Sequence, residues 1–281
     1  MTDLRPHPPW LWPNTLSLDA AFIAVGWQAL FARTLGAPIG GHHAAILGLA
    51  VWLGYAGDRW LDSQRYLPAS VLTHRHLFYA RHRSAILCVW VGVLAIAVAL
   101  AGFSLSPLEF LRGCILLTFC LAHTWGVQNG SRGFRKRFPK EVSVSVLFCA
   151  GVFLFITPPS PPDMVLYAFS GGSFFFLCLA NCCLLAHWER GADQAQGEVS
   201  IAVTRPTLAR RADWLALASP IALWVISFTG RTDANPVAIA MAVSAIALFM
   251  LNRVALGYSS DTRRAWADAV LLSPYLALLV F

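Results

Sequence analysis

Asp58 and Asp62 in the run Asp58-Arg59-Trp60-Leu61-Asp62, and Glu189 and Asp193 in Glu189-Arg190-Gly191-Ala192-Asp193, each set two carboxyl groups four residues apart. On a helix that spacing separates side chains by about 40° around the axis and one turn along it, so both acids of a pair can address one point. Two such pairs at matching depth on separate helix ends suit a hard cation that prefers oxygen ligands, such as magnesium. Taken alone, the first pair also reads as a solvated helix end in which Asp62 pairs with Arg65 at i, i+3. The recurrence of the pair is what points to a shared cation, and Gly197 permits a turn after the second pair, before Ser200.

Between the two pairs lies the most basic stretch of the chain, Arg132-Gly133-Phe134-Arg135-Lys136-Arg137-Phe138-Pro139-Lys140. Fixed guanidinium and ammonium groups near bound magnesium are what a diphosphate requires, because they neutralise oxygens that the metal does not reach. Lys136 and Arg137 are the preferred diphosphate ligands, with Arg59 beside the first pair as a third. Membrane topology or anionic lipid would also select a basic loop here.

Other polar residues fall within or near apolar stretches. Asn181 lies eight residues before Glu189 on roughly the same helical face; it either lines a cavity or hydrogen-bonds a neighbouring helix. Asn252 and Asp268 raise the same question, and Asp268 is spaced to pair with Arg264 one turn earlier. His74, His76 and His82 share one polar loop, with His123 and His187 at the ends of apolar runs, which opens a rival reading as a His-rich metal or haem protein. No His-x-x-x-His pair is present, and the segment from Thr73 to Arg83 is instead expected to form a short interfacial cap.

The elements that carry these residues follow from composition. The 281 residues are 57% hydrophobic and only 12% charged, too apolar for water to be the main solvent. A hydrocarbon layer of about 30 Å needs roughly 20 apolar residues per helix. Nine candidate spans lie near residues 15–36, 42–60, 84–103, 108–126, 141–158, 163–187, 212–229, 236–256 and 265–281. They are too long for barrel strands and lack strand alternation, so the expected fold class is all-α, a polytopic transmembrane helical bundle. Residues 1–281 read as a single integral membrane domain, with one weak internal echo: the second and sixth spans each run into an acidic pair. The Pro-rich, polar first 14 residues offer no signal-peptide pattern, so the first span is expected to be retained. All seven cysteines fall inside spans, where they act as small apolar side chains rather than a disulfide framework.

The formal net charge of +7 is explained by topology rather than nucleic acid. With a cytoplasmic N-terminus, every Lys and Arg except Arg33, Arg112 and Arg231 falls on the cytoplasmic side, which also receives both acidic pairs. A secondary transporter would instead break its spans near the midplane and set its polar site there.

With these residues in place, the chain resembles the UbiA superfamily of intramembrane prenyltransferases over nearly its whole length. Members have nine helices, acidic motifs after the second and sixth, and a Lys-Arg element before the fifth. Of a first motif that reads Asn-Asp-x-x-Asp-x-x-x-Asp, Asp58 and Asp62 match the last two acids, while Gly54 and Tyr55 stand at the Asn-Asp positions. The second motif is matched by Glu189, Asp193 and Gly197, and the Lys-Arg element by Lys136 and Arg137. The resemblance implies Mg2+ held by Asp58, Asp62, Glu189 and Asp193 as the catalytic set, a prenyl diphosphate bound with help from Lys136, Arg137 and Arg59, and a cavity lined by Asn181 and Tyr55. A lipophilic acceptor would then attack the allylic cation left when the diphosphate departs. The alternative is a non-catalytic relative that keeps the bundle as a lipid-binding or assembly protein, which Gly54 and Tyr55 favour.

Overall fold

In hydrocarbon no water satisfies backbone N–H and C=O groups, so an apolar run must close its hydrogen bonds on itself as a helix. The computed structural model describes residues 8–64, 74–129, 133, 139–157, 164–195, 197–228 and 234–281, and no strand occurs among them. The helices in chain order are α1 (Trp12–Thr15), α2 (Leu18–Thr34), α3 (Gly41–Asp62), α4 (His74–Arg81), α5 (Arg83–Ser104), α6 (Pro107–Asn129), α7 (Lys140–Phe153) and α8 (Met164–Trp188). They continue with α9 (Arg190–Ala195), α10 (Ile201–Thr204), α11 (Pro206–Arg210), α12 (Ala212–Ala218), α13 (Ile221–Phe228), α14 (Asn235–Val254), α15 (Ser260–Ala269) and α16 (Ser273–Val280).

Helix occupies each of the expected apolar segments, but not every one qualifies as a span. Among the described residues four helices are long and apolar enough to cross a bilayer: Arg83–Ser104, Pro107–Val127, Met164–Trp188 and Asn235–Gly257. Pro9–Thr15 and Leu18–Thr34, bent by 76°, make a fifth if taken together. These helices define a multi-pass membrane protein; the count of nine crossings is finer than they establish. Among the shorter pieces, α12 and α13 are separated at Ser219-Pro220, where proline removes a backbone donor and crowds the preceding turn.

The sequence neighbours α5 and α6 bury none of their spanning windows in the protein, so their side chains meet lipid. By contrast α8 and α14 are the inner helices, about half buried. The core between them is aromatic. Trp27 and Phe31 of α2 stack against Phe174 of α8, with ring centroids 5.0 and 5.3 Å apart, and Phe31 lies 4.6 Å from Phe153 of α7. Trp27 Nε1 donates to the Leu271 carbonyl at 3.0 Å, which satisfies the indole within the packed core. This plug fills the half of the bundle away from the acidic ends, since α2 runs from Asp19 toward it while α3 runs back to Asp58.

At the acidic end the chain bends sharply between α1 and α2. Ser17 sits there with φ of 61°, a left-handed conformation that is costly for a residue with a Cβ. Its hydroxyl explains why the strain persists: Ser17 Oγ accepts from Arg59 at 2.8 Å and lies 3.1 Å from Tyr79 Oη of α4. Arg59 also donates to the Asn14 carbonyl, so one guanidinium of α3 fixes both sides of the bend.

Candidate functional site

The last two turns of α3 carry Tyr55, Asp58 and Asp62 on one face. Asp58 is exposed at this helix end. Asp62, Lys140, Arg59 and Arg75 are all close enough to act on it electrostatically. Tyr55 lies deeper, within electrostatic reach of Cys182, Asp268, Cys178 and Asp19, and so faces the interior where α2, α8 and α15 meet.

The second acidic pair arrives from α8 and α9. Hydrogen bonds from the Glu189 amide to Leu185 O and from the Asp193 amide to Glu189 O carry the helical register across the join, so the two carboxyls keep their one-turn spacing. The chain then reverses at Gly197, with φ of 67°, where Glu198 N reaches back to Asp193 O at 2.8 Å and Gly197 N to Gln194 O at 3.1 Å. This is a left-handed helix stop that glycine adopts without a steric penalty, in agreement with the turn expected there.

The two acids of this pair have different surroundings. Glu189 is held by Arg264 of α15 through both guanidinium faces, Nε and Nη2, and Ser260 Oγ donates to it at 3.3 Å. Asp193, buried at 8% exposure, faces the first residue of α7: Lys140 Nζ lies 3.9 Å from its Oδ1. Burial opposes the charge on Lys140, but Asp193, Glu141, Glu198 and Asp62 together hold its pKa above the ordinary lysine value. Lys140 therefore stands between the α3 pair and Asp193, and brings the two sequence-distant acidic runs into one electrostatic environment. Of the four expected carboxylates, Asp58, Asp62 and Asp193 share this surrounding, while Glu189 is turned into an ion pair with α15.

A lid crosses the same mouth. The short helix α4 packs on α3, α5 and α1, with Phe78 edge-on to Trp12 at 5.5 Å and the His74 amide donating to Asp261 Oδ2 at 3.4 Å. From it Arg75 enters a field set by Arg59, Asp261, Asp268 and Asp62. Burial is the largest influence on Arg75 and pulls its pKa down to about 10, which leaves the guanidinium charged at neutral pH. Within the interfacial segment expected from Thr73 to Arg83, His74–Arg81 form a helix over the acidic end, and Arg75 is the residue on it that sequence reasoning did not single out.

The remaining expected residues divide. Lys136 and Arg137 lie outside the described residues, as does Arg65, the expected partner of Asp62. Arg59 has its donors on Asn14 and Ser17 yet remains near Asp58. Asn181 is buried at 6% exposure, with its Oδ1 lacking a partner. Asn252 is a helix-to-helix tie: it accepts from Trp188 Nε1 at 3.0 Å and donates to Asp213 Oδ2 at 3.0 Å. The expected Arg264–Asp268 pair does not form, because Arg264 turns to Glu189. Asp268 is instead bonded by Asn14 Nδ2 at 2.9 Å, and the same amide donates to Asp19 Oδ2 at 2.5 Å.

Among the described residues no group of three His, Cys, Asp or Glu side chains is placed to hold a metal ion. The fit to magnesium consequently rests on smaller sets. Asp193 Oδ2 and Glu141 Oε2 are buried carboxylate oxygens without a hydrogen-bond partner, a costly condition that a bound cation would relieve. Magnesium commonly takes one or two carboxylates and fills its octahedron with water and substrate phosphate. The donor set fits on that basis, without Glu189.

A cleft of about 610 Å³ opens on the flank between the N-terminal bend and α15–α16, with Trp10, Asn14, Asp19, Phe22, Trp266 and Tyr275 among its walls. It is largely apolar, and its polar floor is the Asn14–Asp19 pair that bonds Asp268. Comparison of the chain with protein-family models, with curated proteins and with solved structures returns no match.

Proposed function

We propose that this chain is a UbiA-like intramembrane prenyltransferase, which moves an isoprenoid group from a prenyl diphosphate to a lipophilic, ring-containing acceptor with magnesium assistance. The observation that carries this reading is the common surrounding of Asp58, Asp62 and Asp193 about Lys140, at the end of the bundle away from the aromatic core. In this reading magnesium is bound by Asp193 on one side and by Asp58 and Asp62 on the other, with no more than two carboxylates to an ion. Lys136 and Arg137 bind the diphosphate with Arg59 behind them, and Tyr55 and Asn181 line the cavity below. Bound magnesium supplies Lewis-acid polarisation of the diphosphate. The allylic C–O bond breaks with its electron pair leaving on the diphosphate, the basic groups neutralise that charge, a nucleophilic carbon of the acceptor bonds to the allylic carbon, and the acceptor releases a proton to water at the mouth. The flank cleft has the volume and apolar lining of a small-molecule site and suits the lipophilic acceptor. Glu189 is left out of the metal set, since Arg264 takes both its oxygens. The acidic end and the N-terminus are assigned to the cytoplasmic side by the distribution of Lys and Arg.

The Glu189–Arg264 pair, with Gly54 and Tyr55 in place of an Asn-Asp couple, favours a second reading in which a non-catalytic relative binds isoprenoid or lipid. One experiment separates the two. The protein in detergent is titrated with magnesium and geranylgeranyl diphosphate while its thermal unfolding is followed. Joint stabilisation that disappears in Asp58→Asn and Asp193→Asn, together with prenyl transfer to a test acceptor, supports the transferase. Stabilisation by the isoprenoid without any metal dependence supports the binding protein.

A further inference from the structure

Glu141 belongs to none of the acidic runs, yet it is one of the most deeply buried carboxylates in the chain, at 4% exposure on the first turn of α7. One oxygen is accounted for: Glu141 Oε1 accepts from the Ile201 amide at 3.0 Å. The other, Oε2, has no partner. Asp193 repeats the pattern, with Oδ1 near Lys140 and Oδ2 buried without a partner. The two carboxylates lie within electrostatic reach of each other and of Lys140. Ser200, next to the residue that binds Glu141, is 1% exposed, and its hydroxyl is also without a partner. These two orphan carboxylate oxygens and one orphan hydroxyl, on segments in contact with one another, each lack the hydrogen bond that buried oxygens normally keep.

We infer that Glu141, Asp193 and Ser200 form a divalent-cation site of magnesium type at the α7–α9 corner, with Glu141 taking the place that the spacing of the second acidic run reserves for Glu189. The inference rests on reading the acidic end of the bundle as a cation site for a diphosphate. Two carboxylates and a hydroxyl leave the remaining octahedral positions to water and diphosphate oxygens, the division magnesium favours. Glu189 is unsuited to the task because Arg264 neutralises it. Lys140 then flanks the cation on the side facing Asp58 and Asp62, where a diphosphate bridging the two acidic ends would present its outer oxygens.

The test uses the full-length protein in detergent and Mn2+ as the probe, read by loss of the free-ion paramagnetic resonance signal with and without inorganic diphosphate. Glu141→Gln and Asp193→Asn are expected to weaken Mn2+ binding at least tenfold, Glu141→Asp to recover part of it, and Glu189→Gln to stay within about twofold of the wild type. Thermal unfolding and size-exclusion profiles of each variant establish that it is folded; if Glu141→Gln is not, Ser200→Ala is expected to weaken Mn2+ binding several-fold and carries the test. Wild-type binding untouched by Glu141→Gln, or by Ser200→Ala in its stead, and lost in Glu189→Gln overturns the inference and leaves the transferase reading in place. A wild type that binds no Mn2+ overturns it as well, and the separate stabilisation by geranylgeranyl diphosphate then shows whether the isoprenoid reading falls with it.

Discussion

Arg264 closes a two-point ion pair on Glu189 from a helix 75 residues further along the chain, with both side chains at 15% exposure or less. Breaking one partner of such a pair leaves an uncompensated charge in a poorly solvated place, at a cost of about 3–5 kcal/mol when the pair is fully buried and less here. Arg264→Met is therefore expected to lower the midpoint of unfolding clearly, and Glu189→Gln to do the same. The double variant should recover part of the loss, with a coupling of about 1–3 kcal/mol in a double-mutant cycle by denaturant titration in detergent. Additive losses would mean that the two side chains do not act as a pair, and would free Glu189 for a ligand.

Ser17 offers a test of the N-terminal bend. Its left-handed backbone is offset by two hydrogen bonds to its hydroxyl, from Arg59 and with Tyr79. Ser17→Ala keeps the strain and loses both bonds, an expected destabilisation of about 1–3 kcal/mol. Ser17→Gly loses the same bonds but relieves about 1 kcal/mol of strain, so it should be the milder of the two in thermal unfolding. The reverse order would show that the hydroxyl does not hold the bend.

Much of this architecture is legible in the sequence, because apolar runs of span length announce helices without reference to their neighbours. The positions of α2, α3, α5, α6, α8 and α14 all follow from such runs. Paired acids at i, i+4 are equally local, so Asp58, Asp62 and Asp193 stand out in the sequence as candidates. What sequence spacing misdirected was partner choice. Arg264 stands one turn from Asp268 and was matched to it, whereas the three-dimensional neighbour is Glu189; the near-sequence partner lost to one that tertiary packing supplied. Glu141 gave no signal, since an acid in the first turn of a helix reads as a favourable dipole contact. Lys140 was visible only as the tail of a basic loop, and its position between two acidic runs depends on how α7 packs beside α3 and α8. Arg75 needed the path of α4 across the mouth, which no periodicity encodes.

Phe31 and Phe103 separate protein packing from lipid contact. Phe31 is fully buried among Trp27, Phe153 and Phe174, while Phe103 at the end of α5 is 92% exposed to the surroundings of the bundle. Phe31→Ala removes a ring from the aromatic plug and is expected to cost about 3–5 kcal/mol, enough to abolish recovery of folded protein from the membrane. Phe103→Ala exchanges one lipid-facing apolar group for another and should leave yield and thermal unfolding unchanged. Equal effects would place Phe103 in a protein contact.

The orientation of the chain is testable with two engineered cysteines, because the connector before α6 and the end of α3 lie at opposite ends of their helices. The seven native cysteines lie within helices, five of them half-buried or buried and two, Cys88 and Cys114, exposed on the lipid-facing α5 and α6, so a membrane-impermeant maleimide should give a low background. Ser106→Cys sits in the connector that carries no Lys or Arg, and Gln64→Cys sits on the exposed turn just beyond Asp62. The excess of Lys and Arg at the Asp62 end predicts that end to be cytoplasmic. In intact cells Ser106→Cys should label to at least about tenfold the level of Gln64→Cys, and permeabilisation should bring the two level. Preferential labelling of Gln64→Cys in intact cells would invert the topology, and would move the acidic ends and helix α4 to the outer face.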